Sequence, residues 1–312
     1  MIAVTFLGAG GPEVMSIGER PDPVPLPSEV LVRVTHAGLN PADLIQRAGN
    51  YPAPPGSPAD IPGLEVAGTV IACGEAVTTW RAGDRVFGLV GGGGLSDTVA
   101  VHERHVARIP ENLTDREAAA VPEAFITAHD AVFTRAGLAM GETLLVNGAS
   151  GGVGTAAVQL GTATGARVLA NSRSHSDALV DLGAEPCPLS EARGVDVVLE
   201  LVGAANLTAS LEALAVRGRI IVVGTGAGAD AEISLRALMG RRASLMGTVL
   251  RARHMEEKAA AVQVFARSVV PQIASGRVRP VIDRVFPVAE AAAAFDHLAA
   301  PGKLGKVLLE LA

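Results

Sequence analysis

The sequence predicts a two-part α/β protein: an antiparallel, barrel-like β domain and a doubly wound parallel sheet. Three observations predict it. Residues 1 to about 122 are rich in Gly and Pro and carry short, alternating strands. From residue 143 the rhythm becomes strand, helix, strand, and the strands are apolar on both faces. Between the first of these strands and its helix lies a glycine-rich turn, "NGASGGVG".

Bulk properties bound the reading. The 312 residues suffice for two ordinary domains. Apolar residues make up 49% and charged residues 19%, a core-forming composition rather than a disordered one. Aromatics are only 3%, so the core must be built from Ala, Val, Leu and Ile. A net charge of −6 argues against a general nucleic-acid footprint. Cys73 and Cys187 are too far apart in sequence to suggest a disulfide framework or a zinc spacing. Met1 leads straight into the strand-like "IAVTFLG", and no apolar run is long enough for a bilayer, so a cytoplasmic location is expected.

The elements follow in order. "EVLVRVTHAGL" alternates over residues 29–39, and "LEVAGTVIACG" and "DRVFGLV" follow, separated by turn signals such as "RAGD". At "LTDREAAAVPEAFITAHDAVF" the spacing turns helical, with Thr114 and Glu117 forming a capping box. "TLLVNGA", "ARVLANS", "VDVVLELVG", "RIIVVGTG" and "ASLMGTVL" are read as strands of the parallel sheet, the last (243–250) at its edge. A helix over "RARHMEEKAAAVQVFARSVVPQIA" closes this section. The tail, "RPVIDRVFPV", a helix and "KVLLEL", has β character and is too short to stand alone. The expected domains are therefore 1–122 with 268–312, and 123–267.

"LLVNGASGGVGTAAVQL" is the strongest local signal. A strand ends, glycines turn tightly, and a helix starts with free N–H groups and its positive dipole end facing outward. Ser150, Gly151, Gly152 and Val153 are the candidate pyrophosphate contacts. Ala149 stands where the usual G-x-G-x-x-G has its first glycine. A rival reading is the nucleophile elbow, because Gly148 to Gly152 also matches G-x-S-x-G. That reading lacks an acid and a histidine at later strand ends, and it leaves Gly152 and Gly154 without a task. The dinucleotide reading is favoured.

The end of the second strand selects the nucleotide. Where NAD sites place an acid for the ribose 2′-OH, this chain has Asn171-Ser172-Arg173-Ser174-His175. Arg173 offers a planar fork for a 2′-phosphate and Ser172 a hydroxyl, which points to NADPH. A metal is not expected. His102 and His105 in "VHERHV" would point to opposite faces of a strand, and no Cys or carboxylate cluster joins them.

Four segments together, "GLNPADLIQRAGNYPAPPG", "IPGLEVAGTV", "VPEAFITAHDAVF" and "GASGGVGTAAVQL", resemble the medium-chain dehydrogenase/reductase superfamily. More narrowly, they resemble its zinc-free quinone oxidoreductase branch, which includes zeta-crystallin, and within it the p53-inducible quinone oxidoreductase subgroup. The tail also fits, so the resemblance covers essentially the whole chain. It implies a GroES-like β domain completed by the C-terminal tail, a Rossmann nucleotide-binding domain between, and often a homodimer joined at the sheet edge. The "GHE" motif of zinc-dependent relatives reads Gly63-Leu64-Glu65 here, with Leu64 in place of the ligand histidine, and their cysteine position falls near Asn40.

The resemblance assigns Asn40 and Tyr51 to the pocket beside the nicotinamide, and makes Asp43 a helix cap. Tyr51 is the only tyrosine, set in a loop stiffened by Pro52, Pro54, Pro55, Pro58 and Pro62. It brings Thr248 and Leu250 near the carboxamide, Lys306 in the final "GK", and Thr127, Val202, Gly224, Thr225 and His175 to the cofactor residues. The expected activity is NADPH-dependent reduction of quinones in the cleft between the domains, on a small-molecule substrate with neither nucleic acid nor membrane as partner. Two alternatives stay open: an enoyl or alkenal double-bond reductase, and a low-turnover NADPH-binding redox sensor.

Overall fold

The computed structural model describes residues 1–311. The chain divides into two compact units. The first comprises Met1–Ile126, Leu250–Ser275 and Pro280–Ala312; the second comprises Thr127–Val249 and Gly276–Arg279.

The first stretch of chain supplies β1 (Ile2–Phe6), β2 (Met15–Glu19), β3 (Glu29–Leu39), β4 (Glu65–Cys73), β5 (Arg85–Leu89), β6 (Thr98–His102) and β7 (Val106–Arg108). β1 and β2 pair antiparallel. In β3, Val30, Val32 and Val34 are fully buried while Arg33 is exposed, the alternation that the sequence shows. Three helices punctuate this part: α1 (Pro41–Arg47), α2 (Asp115–Ala118) and α3 (Pro122–His129). Thr114 and Glu117 form the expected capping box on α2.

The second unit holds β8 (Thr143–Asn147), α4 (Gly152–Thr164), β9 (Arg167–Asn171), α5 (Ser176–Asp181), β10 (Glu185–Pro186) and β11 (Val195–Glu200). It continues through α6 (Ala204–Ala213), β12 (Leu214–Val222), α7 (Leu235–Arg241) and β13 (Ser244–Gly247). The sheet order is β10-β9-β8-β11-β12-β13, and every pairing is parallel. Numbered in chain order within the sheet this is 3-2-1-4-5-6, the doubly wound order whose ligand site lies at the strand C-termini, where the order reverses. The reversal falls between β8 and β11. β13 is the edge strand, as expected.

The chain then returns through α8 (Met255–Ser268), α9 (Val270–Ala274), β14 (Ile282–Pro287), α10 (Ala291–Ala299) and β15 (Lys306–Glu310). β15 pairs antiparallel with β3 and parallel with β14, so the tail joins the seven-stranded sheet β14-β15-β3-β4-β5-β7, with β6 also on β3.

α8 departs from the sequence expectation twice. The predicted helix over 251–274 starts only at Met255, after a turn, and breaks at Val269. It also belongs to the first unit rather than the second. The reason is packing. Phe265 is fully buried with its ring centroid 5.8 Å from that of Phe87 on β5, and His105 donates from Nε2 to the Met255 carbonyl at 3.0 Å. The strand–helix rhythm runs on through 251–267, but an apolar stripe does not announce which sheet it covers.

Candidate functional site

In the second unit, the fold gathers most of the predicted nucleotide residues at the C-terminal ends of the strands. After β8, Gly148 adopts φ +83°, and Gly151 caps α4. A Cβ at Gly154 would lie 2.6 Å from the Ala149 carbonyl oxygen, so only glycine lets helix and turn close up there. The first N–H groups of α4 have no intrahelical acceptor, which leaves them for an anion. Ser172 to His175 follow β9; Arg173 is exposed, while the Ser172 hydroxyl donates to the Ser174 carbonyl at 2.9 Å. Val202 follows β11, Gly224 and Thr225 follow β12, and Thr248 follows β13.

A buried polar network lies under this rim, and sequence reasoning missed it. The Glu200 side chain at the end of β11 is fully buried. It accepts from the N–H groups of Val202 (2.8 Å) and Gly203 (2.9 Å) and from Asn147 Nδ2 (2.6 Å). Asn147 Oδ1 in turn accepts from Asn171 Nδ2 at 2.9 Å. The ends of β8, β9 and β11 are thereby tied together. The signal in sequence was a polar residue closing each of three apolar strands.

The residues fit a dinucleotide. Thr127 is buried, and its Oγ1 has no hydrogen-bond partner among the described residues. The glycine cradle admits a pyrophosphate backbone-close, and Arg173 carries an exposed fork. Ser150, Gly151, Gly152, Val153 and Thr127 would hold the phosphates and ring of such a group; Ser172 and Arg173 would hold its ribose end.

The first unit contains a second cluster. Asn40 opens α1, and its backbone N–H donates to Asp43 Oδ2 at 2.8 Å. Asp43 is fully buried and also accepts from the Gly63 N–H at 3.1 Å, the helix-capping role expected of it. Burial pushes its carboxyl up to about 6. Behind it, Lys306 Nζ stands 2.6 Å from Glu65 Oε1 and donates to the Leu39 carbonyl at 2.8 Å and to Asn40 Oδ1 at 2.5 Å. Asn40 Nδ2 donates to Glu65 Oε1 at 3.0 Å. Glu65 Oε2 accepts the Glu123 N–H at the start of α3, at 2.8 Å. Burial, then the nearby Glu65 carboxylate, push the Glu123 carboxyl up to about 7.

Tyr51 is half-buried, and its hydroxyl makes no hydrogen bond among the described residues. Its ring lies 5.0 Å beneath the Arg251 guanidinium. Burial, together with the Glu123 charge, raises the phenol pKa above its ordinary value.

Several expected residues are placed otherwise. Lys306 is buried in the ion pair with Glu65. Leu250 is buried within the first unit. The Asn40 amide is spent on Glu65, Gly38 and Lys306, so its polar atoms are engaged within the protein. His102 and His105 do not point apart. A single turn of 3-10 helix follows β6, and the two rings pack at 5.3 Å. Burial lowers His105 to about 4. No group of three or more His, Cys, Asp or Glu suited to a metal occurs among the described residues.

Comparison with known proteins places this geometry. The model for the alcohol dehydrogenase GroES-like domain matches residues 26–111, and that for zinc-binding dehydrogenases matches 164–309. A quinone oxidoreductase of Mus musculus is 35% identical, over 100% of this chain and 98% of its own. The chain belongs to the zinc-free quinone oxidoreductase branch of the medium-chain dehydrogenase/reductases. Among solved members of this superfamily, the quinone oxidoreductase of Pseudomonas syringae pv. Tomato DC3000 superposes with a TM-score of 0.88 at 26% identity, covering 99% of each chain. CurK enoyl reductase superposes with a TM-score of 0.87 at 26% identity, covering 100% of this chain and 99% of its own. As in this branch, the first unit is GroES-like and the second is an NAD(P)-type dinucleotide-binding domain. The chain is thus an oxidoreductase-family protein acting on a small molecule. No helix among the described residues is long and apolar enough to cross a membrane.

Proposed function

We propose that this protein reduces quinones with NADPH and needs no zinc. The observation that carries the reading is Tyr51: a half-buried phenol, protonated at neutral pH like any phenol and pushed further from ionising by burial, with its hydroxyl unused among the described residues. Such a group donates a hydrogen bond to an oxygen on which negative charge develops, and losing one such donor costs about 1–3 kcal/mol. Leu64 supports the metal-free reading, because it offers no ligand atom where zinc-dependent relatives have histidine. Bound NADPH supplies the reducing equivalents. The chain's own part is to hold its phosphates on the α4 N-terminus, its 2′-phosphate on Arg173 and Ser172, and the quinone oxygen against Tyr51. Asn40 acts by carrying Glu65 and Lys306 rather than by meeting the quinone. The exposed edge of β13 suits pairing in a homodimer.

A second reading is favoured by the likeness to CurK enoyl reductase. On an enone, the Tyr51 phenol would give its proton to the α-carbon. NADPH and NADH titrations, followed by NADPH oxidation with ortho- and para-quinones and with α,β-unsaturated ketones, decide between the two. Turnover confined to the ketones removes the quinone reading. Tight NADPH binding with no oxidation by either class leaves the redox sensor.

A further inference from the structure

Tyr51 sits in a loop of prolines, yet prolines stiffen a loop without fixing where it lies. The structure shows what does. Arg251 is almost fully buried, in the turn just before α8, and its fork is divided among three elements. Nε donates to the Gly91 carbonyl at 2.8 Å, Nη1 to the Tyr51 carbonyl at 3.1 Å, and Nη2 to Gln46 Oε1 at 2.7 Å. The same guanidinium covers the Tyr51 ring. Gln46, at the end of α1, reaches the far side of the proline loop by donating Nε2 to the Ala59 carbonyl at 3.3 Å.

We propose that Arg251 is the positioning residue for Tyr51: its fork pins the loop backbone and its plane pins the ring, so the phenol hydroxyl is held at one place. A planar group with five fixed donors can do this; an ammonium, which is a point charge, cannot hold three acceptors in these directions. Asp43 and Glu123 also face Arg251, while Lys258 and Glu123 face each other beside it. The clamp therefore keeps its charge balanced although it is buried.

The proposal rests on the function assigned above only for its activity readout. Tyr51 is the only tyrosine in the chain, so its ionisation can be followed directly by the near-ultraviolet phenolate band. In Arg251→Lys the charge stays and the fork is lost. The Tyr51 titration is expected to fall toward that of a free tyrosine, and kcat with a quinone to drop about tenfold or more, with the KM for NADPH within about twofold. Gln46→Met, which leaves Arg251 in place, is expected to shift the titration the same way by less, and covers the case in which Arg251→Lys does not fold. A Tyr51 titration unchanged in the folded variants overturns the proposal. Absence of quinone turnover in the wild-type protein overturns the function instead, and the titration still judges the clamp.

Discussion

Lys306 Nζ lies 2.6 Å from Glu65 Oε1, and both side chains are buried. The pair joins the last strand of the chain to β4, with Asn40 bridging the two groups. An ion pair of this kind gains little over an apolar pair of the same shape, but each partner is costly when left alone. Lys306→Met is expected to destabilise the protein by about 3–5 kcal/mol. Adding Glu65→Gln should return a good part of that loss. Chemical denaturation of wild type and the single and double variants checks this. Single losses that simply add up in the double variant would show that the pair is not coupled.

Glu123 gives a pH signature with a definite sign. Its carboxyl titrates near 7 in the folded protein, against 4.5 for a free glutamate. The native state thus binds its proton more tightly than the unfolded one. A stability penalty sets in as pH rises through 4.5 and is complete above about 7. The same sign holds for Asp43, whose carboxyl rises from 3.8 to about 6. Glu123→Gln removes the charge and keeps the shape. It is expected to be more stable than wild type at pH 8, by roughly 1–2 kcal/mol because partial exposure screens the charge, and equal to it at pH 4. Thermal unfolding across this range is the measurement; a gap that does not vary with pH contradicts the assignment.

What could be read from sequence followed the length scale of each contact. The strands of the second unit were legible because Val, Leu and Ile fill both faces, and the turn before α4 because its glycines are local. The capping box at Thr114 spans three residues and was read correctly. Arg251 and Tyr51 are 200 residues apart, and nothing near either one names the other. Lys306 shows the same limit: the resemblance places it among the cofactor residues, and nothing near it names its partners Asn40, 266 residues upstream, and Glu65. His102 and His105 failed for a local reason, since the alternation rule for strands lapses where a 3-10 turn begins.

In the proposed NADPH reading, nucleotide choice hangs on Arg173. It is exposed and stands just past β9, where no acid occupies the ribose position. Arg173→Gln keeps polarity and removes the charge. NADPH affinity is expected to fall about tenfold, equivalent to roughly 1.4 kcal/mol, with NADH affinity unchanged. Fluorescence titration of both nucleotides checks it. A parallel loss for both would make Arg173 a general contact rather than the reader of the 2′-phosphate.

Glu200 is expected to matter to nucleotide binding without presenting its own side chain to solvent. Its carboxylate accepts the Val202 and Gly203 N–H groups and the Asn147 amide, and Asn147 carries Asn171 at the end of β9. Glu200→Gln puts a donor into a site surrounded by donors. One of the N–H groups is then left unsatisfied, at about 1–3 kcal/mol. The turns after β8, β9 and β11 loosen together, because their tie runs through this one carboxylate. The variant should therefore lose stability and also weaken NADPH and NADH alike, in contrast to Arg173→Gln, which separates them. Denaturation and titration of both nucleotides on the same preparation test the pair of effects. Full nucleotide affinity in a destabilised Glu200→Gln protein would confine the network to folding.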